Sequence, residues 1–173
     1  MPISLVADHV GSQGWEPQRV NNAVLHFADL PGDEELSLSL ASFPLPKVTN
    51  GIVEIGHVNE KRKFAGLPTF DDLSVLYKDY VPVNTSSILH AWRKLVYDPE
   101  TGKIGLKWEY AKNGWAELYA PNGEFIRQYD LIGCWPSGFD PGDVDLAGED
   151  TINITLTLTI DKAIPVAGGN VLA

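Results

Sequence analysis

Apolar residues recur at every second position in several stretches of the chain, and at helical spacing in one. TINITLTLTI (151–160) places Ile152, Ile154, Leu156, Leu158 and Ile160 on one face. Thr151, Asn153, Thr155, Thr157 and Thr159 take the other. Period 2 marks a half-buried strand. EELSLSLASF (34–43) follows the same rule, with Leu36, Leu38 and Leu40 set against Ser37 and Ser39, and predicts another strand. NNAVLHF (21–27), LSVLYKDY (73–80) and the aromatic-rich GLKWEY (105–110), GWAELYA (114–120) and GEFIRQYDLIG (123–133) extend the series. APNG (120–123) reads as a hairpin turn in which Gly123 is free to take positive φ. TSSILHAWRKLVYD (85–98) is the one convincing helix: Ile88, Leu89, Trp92, Leu95 and Val96 make a single apolar stripe. Thr85 or Ser86 offers an N-cap oxygen, Arg93 and Lys94 suit the C-terminal end of the dipole, and Pro99 stops the helix.

Between these elements the pattern weakens in informative ways. Pro44 and Pro46 lack N–H donors and bar PLPKVTNG (44–51) from the middle of a sheet. GIVEIGHV (51–58) and NEKRKFAG (59–66) follow as arms of a long, partly exposed hairpin. Its second arm carries Lys61, Arg62 and Lys63 in an otherwise acidic chain. Two readings stay open: a solvated edge protected by charge, or a docking arm that meets an acidic patch on a sister subunit. Residues 1–20 read as an N-terminal arm that needs a partner surface to become ordered. Residues 163–173 read as a tail without periodicity, and DPGDVDLAGED (140–150) as an acidic loop. The sum is about eight strands and one helix, with no repeats and no βαβ rhythm. That predicts a mainly β, sandwich or barrel-like domain over 21–162, with a helix on one edge or end and a long extended hairpin.

Composition narrows the chemistry. A chain of 173 residues can bury a core without disulfides. Its net charge of -10 repels phosphate backbones and argues against a sequence-reading nucleic-acid binder. A surface that passes close to DNA without gripping it remains open. Cys134 is the single cysteine and reads as a buried, inert thiol rather than a nucleophile. The N-terminus lacks the basic start and apolar stretch of a signal peptide, and no apolar run approaches a membrane span. The expectation is a soluble protein matured in a reducing cytoplasm.

No GxSxG, HExxH, P-loop or GxGxxG occurs, and His9, His26, His57 and His90 are scattered without metal-ligand spacing. No enzyme, cofactor or metal is expected. Asp140, Asp143, Asp145, Glu149 and Asp150 do not match an EF-hand and read first as a solvated turn. Asp71 and Asp72 invite an acid–base reading, but neighbours in a strand point to opposite faces. With Thr69 they read instead as turn residues whose oxygens bond backbone N–H groups. The tryptophans (Trp15, Trp92, Trp108, Trp115, Trp135) and six tyrosines could line a sugar-binding face, so a carbohydrate-binding β-sandwich module is the alternative function; aromatics also fill β cores and interfaces.

Four features, in order, resemble the tail tube proteins of contractile-tailed bacteriophages and their relatives in contractile injection systems. They are SFPLPKVTNGIVEIGHVNEKRKFAG (42–66), GLPTFDDLSV (66–75), an amphipathic helix with central Trp92, and IGCWPSG (132–138) as a turn before an acidic loop and a closing alternating strand. The likeness spans roughly 20–162 and leaves out the arm and the tail after Lys162. It implies a subunit of stacked hexameric rings forming a hollow conduit for genome ejection, in a phage tail or, as the second option, a bacterial injection device. The hairpin at 44–64 would reach toward a neighbouring ring, with Pro46, Val48, Glu54, His57, Asn59, Lys61, Arg62 and Lys63 as contact candidates. Thr69, Asp71, Asp72, Trp135 and Pro136 would set the strand starts and turns. Implied partners are the chain itself, a tape-measure protein, a baseplate hub, a tail terminator and a sheath. DNA would slide through the lumen without specific binding, and the protein would reside in the virion tail after assembly in the host cytoplasm.

Overall fold

The computed structural model describes residues 18–167. The sequence-predicted arm therefore lies almost wholly outside the described residues, as does the end of the tail. The chain runs β1 (Ala23–Phe27), α1 (Asp33–Ser39), β2 (Leu40–Ser42), β3 (Val48–His57), β4 (Glu60–Phe70), β5 (Leu73–Lys78), α2 (Thr85–Val96), β6 (Tyr97–Asp98), β7 (Lys103–Ile104), α3 (Lys107–Tyr110), β8 (Lys112–Tyr119), β9 (Phe125–Asp140), β10 (Asn153–Thr159) and β11 (Lys162–Ala167). It is mainly β, as the alternation predicts, and its sheet curls into a half-barrel.

The main sheet has the order β1-β8-β9-β10-β5-β2, with β11 also paired to β9, and every pairing is antiparallel. Strand β9 joins its two halves. Arg127–Ile132 pair with β11, whereas Trp135–Asp140 pair with β10. Between them the strand bends at Gly133, whose φ of 69° is costly for any residue with a Cβ. A bulge follows where β10 steps from Gly138 to Pro136. The IGCWPSG turn expected at 132–138 is therefore a bend inside a 16-residue strand. Pro136 is tolerated there because a bulge needs no ladder N–H at that point.

The core fills the concave side. Leu25 and Phe27 of β1, Leu73, Val75 and Tyr77 of β5, Leu131 of β9, and Ile154, Leu156 and Leu158 of β10 are all buried. Helix α2 closes the open side with Leu89 and Trp92. Trp92 reaches β1 through Phe27, with ring centroids 5.0 Å apart, and its indole N–H donates to the Tyr110 carbonyl at 2.8 Å. His90 packs on Phe139 of β9 at 4.3 Å. The helix cap is Asn84, in the left-handed region, whose side chain accepts from the Ser87 N–H. Thr85 is instead buried and donates to Ser39 Oγ.

Three other elements depart from the sequence reading. EELSLSLASF opens as helix α1, not as a strand. Leu36 and Leu40 are also spaced i, i+4, so the segment satisfies both periods. Asp33, Glu34 and Glu35 in the first turn favour the helix. Leu38, which only the strand reading would bury, is 81% exposed. GLKWEY turns into the short α3, where Glu109 accepts from the Leu106 N–H and Trp108 is left exposed. The start of the tail forms β11, an edge strand whose Ile164 and Val166 are partly exposed, so no alternation betrays it. No helix among the described residues is long and apolar enough to cross a membrane.

Candidate assembly surfaces

Among the described residues, strands β3 and β4 pair with each other and with no other strand. The ribbon is longer than the two arms read from the sequence, because pairing continues from Val48–Phe70 through Thr49–Thr69 and Asn50–Pro68. A register shift follows at Gly51, where Gly66 crosses close enough that an added Cβ would lie 2.9 Å from the Gly51 carbonyl. Glycine is what lets the two backbones cross at that contact.

Beyond the shift the register sorts the side chains by face. Glu54 sits opposite Lys63, with Gly56 opposite Lys61 on the same face, and both lysines pair with Glu54 at 3.5–3.7 Å. The other face carries Val53 opposite Phe64 and Ile55 opposite Arg62. Val53, Ile55 and Phe64 are each about half exposed, and Arg62 makes no ion pair among the described residues. An isolated two-stranded ribbon is marginal in water. One that also displays an apolar row beside cations is built for another surface.

The contact candidates thus share one element. Val48 and Glu54 lie on β3, Lys61, Arg62 and Lys63 on β4, Asn59 in the tip turn next to Val58 at φ 57°, and His57 pairs with Glu60 at the strand ends. Pro46 lies half-buried in the segment leading in. Asp71 and Asp72 are exposed in the two-residue link from β4 to β5. Their carboxylates and the Thr69 hydroxyl make no hydrogen bond among the described residues. The backbone does the work expected of them, with Asp71 N–H donating to the Lys47 carbonyl at 3.2 Å. Trp135 is half-buried and meets Tyr110 edge-on at 5.6 Å, far along the chain from the hairpin.

The register also assigns the ends of the body. Leu73 pairs with Leu158 at the end from which the hairpin leaves. At the other end Lys78 pairs with Asn153, and Thr155 with Asp140. Two loops gather at that far end, 79–84 and 141–152, joined by the Asp79 N–H bond to the Ile152 carbonyl at 3.1 Å. Sequence reasoning missed this gathering, because only the pairing of β5 with β10 brings the two loops together.

Cys134 is fully buried, and burial pushes its thiol up to about 12, which leaves it protonated. No group of three or more His, Cys, Asp or Glu among the described residues is placed to hold a metal ion. The described tryptophans are dispersed: Trp92 in the core, Trp108 on α3, Trp115 against His26, Trp135 against Tyr110. Thr155, Thr157 and Thr159 share the outer face of β10 with Ser74, Leu76 and Lys78 of β5.

Known structures match this architecture. A chain of the PVC sheath-tube complex of an extracellular contractile injection system, in its extended state, superposes with a TM-score of 0.68 at 15% identity, covering 93% of this chain and 97% of that one. The chain has the fold of a tail tube protein. A chain of the anti-feeding prophage tube-terminating cap gives 0.69 at 11% identity over 88% and 93% of the two chains. The SPP1 tail tube gives 0.51 at 11% identity over 88% and 80%. No family model matches the sequence, and no curated protein does. The tube-protein likeness is thus carried by backbone geometry, at identities where side-chain detail has diverged.

Proposed function

We propose that this chain is the structural subunit of a tail tube, closing into six-membered rings that stack into a hollow conduit for genome ejection. The carrying observation is the β3–β4 ribbon: a long, half-apolar pair of strands that the chain's own body leaves uncovered. In stacked rings neighbouring copies bury that surface, and ring closure covers the free edges of the curled sheet. The hydroxyl face of β10, nearly free of charge, suits a wall beside which DNA slides, since few cations are offered to its phosphates. The protein acts as a conduit and not as an enzyme. Its partners are its own copies, a tape-measure protein within the lumen, a baseplate hub, a tail terminator and a sheath, and its place is the virion tail. A contractile injection device uses the same parts with a different cargo.

Negative-stain microscopy of the purified chain tests the reading. Rings or stacked filaments with a central hole are expected. A chain that stays monomeric at high concentration, and is absent from tubes in the particle it comes from, overturns it.

A further inference from the structure

The two ends of the body carry opposite chemistry. From one end leaves the ribbon, with Lys61, Arg62 and Lys63 near its tip and Val53, Ile55 and Phe64 along one face. At the other end lie the joined loops 79–84 and 141–152, holding Asp143, Asp145, Glu149 and Asp150 among almost wholly exposed Val81 and Leu146. Val144 is exposed there too. Each end alone is a poor surface for water: one sets unburied aliphatics among cations, the other sets them among anions.

We propose that the ribbon of one copy docks on the acidic loop end of a copy in the next ring. This rests on the ring-stacking reading above and names the surface that receives the arm. A head-to-tail contact joins two different patches, so a chain that stacks this way must carry both halves on opposite ends. The strand register puts them there. The ribbon's ten or eleven residues per arm can reach roughly 30 Å, enough to cross a ring boundary. Lys61 and Lys63 share Glu54, Arg62 makes no ion pair among the described residues, and Lys61, Arg62 and Lys63 outnumber the carboxylates Glu54 and Glu60, so the tip keeps net positive charge for the neighbour. Val53, Ile55 and Phe64 then meet Val81, Val144 and Leu146. The like-charged alternatives, ribbon tip to ribbon tip or loop to loop, are repelled, which fixes the polarity of the stack.

Two charge-reversed chains test this. One carries Lys61→Glu, Arg62→Glu and Lys63→Glu. The other carries Asp143→Lys, Asp145→Lys and Glu149→Lys. Each alone is expected to form rings but to lose stacking, with at least about tenfold fewer filaments than the natural chain. Mixed, they are expected to stack again, because each now supplies the half that the other lacks. Normal stacking by either variant alone overturns the proposal, as does failure of the mixture while both still form rings. Should a variant fail to fold, carbodiimide cross-linking of natural filaments decides. Amide bonds from Lys61 or Lys63 to Asp143, Asp145 or Glu149 of another copy support docking, and inter-copy links found only elsewhere overturn it. A natural chain that forms no rings would instead overturn the ring reading itself.

Discussion

Single side chains at the edge of β1 show how the fold is locked. The Asp33 carboxylate accepts from the Phe27 N–H at 2.6 Å and from His26 Nδ1 at 2.8 Å. It thereby ties the first turn of α1 to the end of β1. Asp33→Ala strands a half-buried backbone donor, which costs about 1–3 kcal/mol. Asp33→Asn keeps an acceptor for Phe27 and is expected to cost less than half of that in urea midpoints. Cys134 and Tyr77 act on alkaline stability. Burial raises both groups above their ordinary values of 9.0 and 10.0. Both therefore stay neutral in the fold while the unfolded chain ionises. Their stabilisation is complete below pH 9 and drains away as pH climbs toward 12 and beyond. Melting temperature is expected to fall across that window, and Cys134→Ala to flatten its first part.

At the scale of elements, hairpin and body are energetically separate. Every member of the buried core lies outside β3 and β4, and only Phe70, at the root, packs against it. Excising 53–64 and closing the gap with a two-residue turn is expected to shift the melting temperature by only a few degrees, because it removes no core surface, and to abolish stacking while rings still form. A collapse in stability with assembly preserved would reverse that assignment. The same separation explains what could be read from the sequence. Strands β5, β8 and β10 were legible because one face meets the core and the other meets water, so burial writes period 2 into them. The helix at 85–96 was legible by its stripe. Leu36, Leu38 and Leu40 misled because their spacing serves a strand and a short helix alike, and packing against Thr85 and the core decided between them. Strand β11 left no trace because neither of its faces is fully covered. The hairpin was recognisable from its prolines and its basic arm, and the acidic loop from its composition, but its gathering with 79–84 into one end was not, since no local pattern says that residues 79–84 meet 141–152.

For the whole molecule, stability should be graded in a way that assembly changes. Strands β5, β9 and β10 sit in the middle of the sheet over the buried core, so their amides open only with global unfolding. The ribbon's amides are bonded across one pair of strands, with no layer of core beneath and exposed side chains on both faces. They open locally at small cost in the lone chain. In stacked rings a neighbour would cover the apolar row of Val53, Ile55 and Phe64, and opening would then require breaking that contact as well. Hydrogen–deuterium exchange read by mass spectrometry distinguishes the two states. In dilute monomer, peptides from 48–70 should exchange within seconds to minutes, and those from 131–140 and 153–159 far more slowly. In assembled material the 48–70 peptides should slow by about ten- to a hundredfold, the change worth roughly 1.4–2.8 kcal/mol of added protection. Peptides from 79–84 and 141–152 should slow with them only when rings stack, because those loops would gain their cover from the next ring. If the ribbon is already protected in the monomer, it has a partner within its own chain, and the case for a surface completed by other copies fails at its first step.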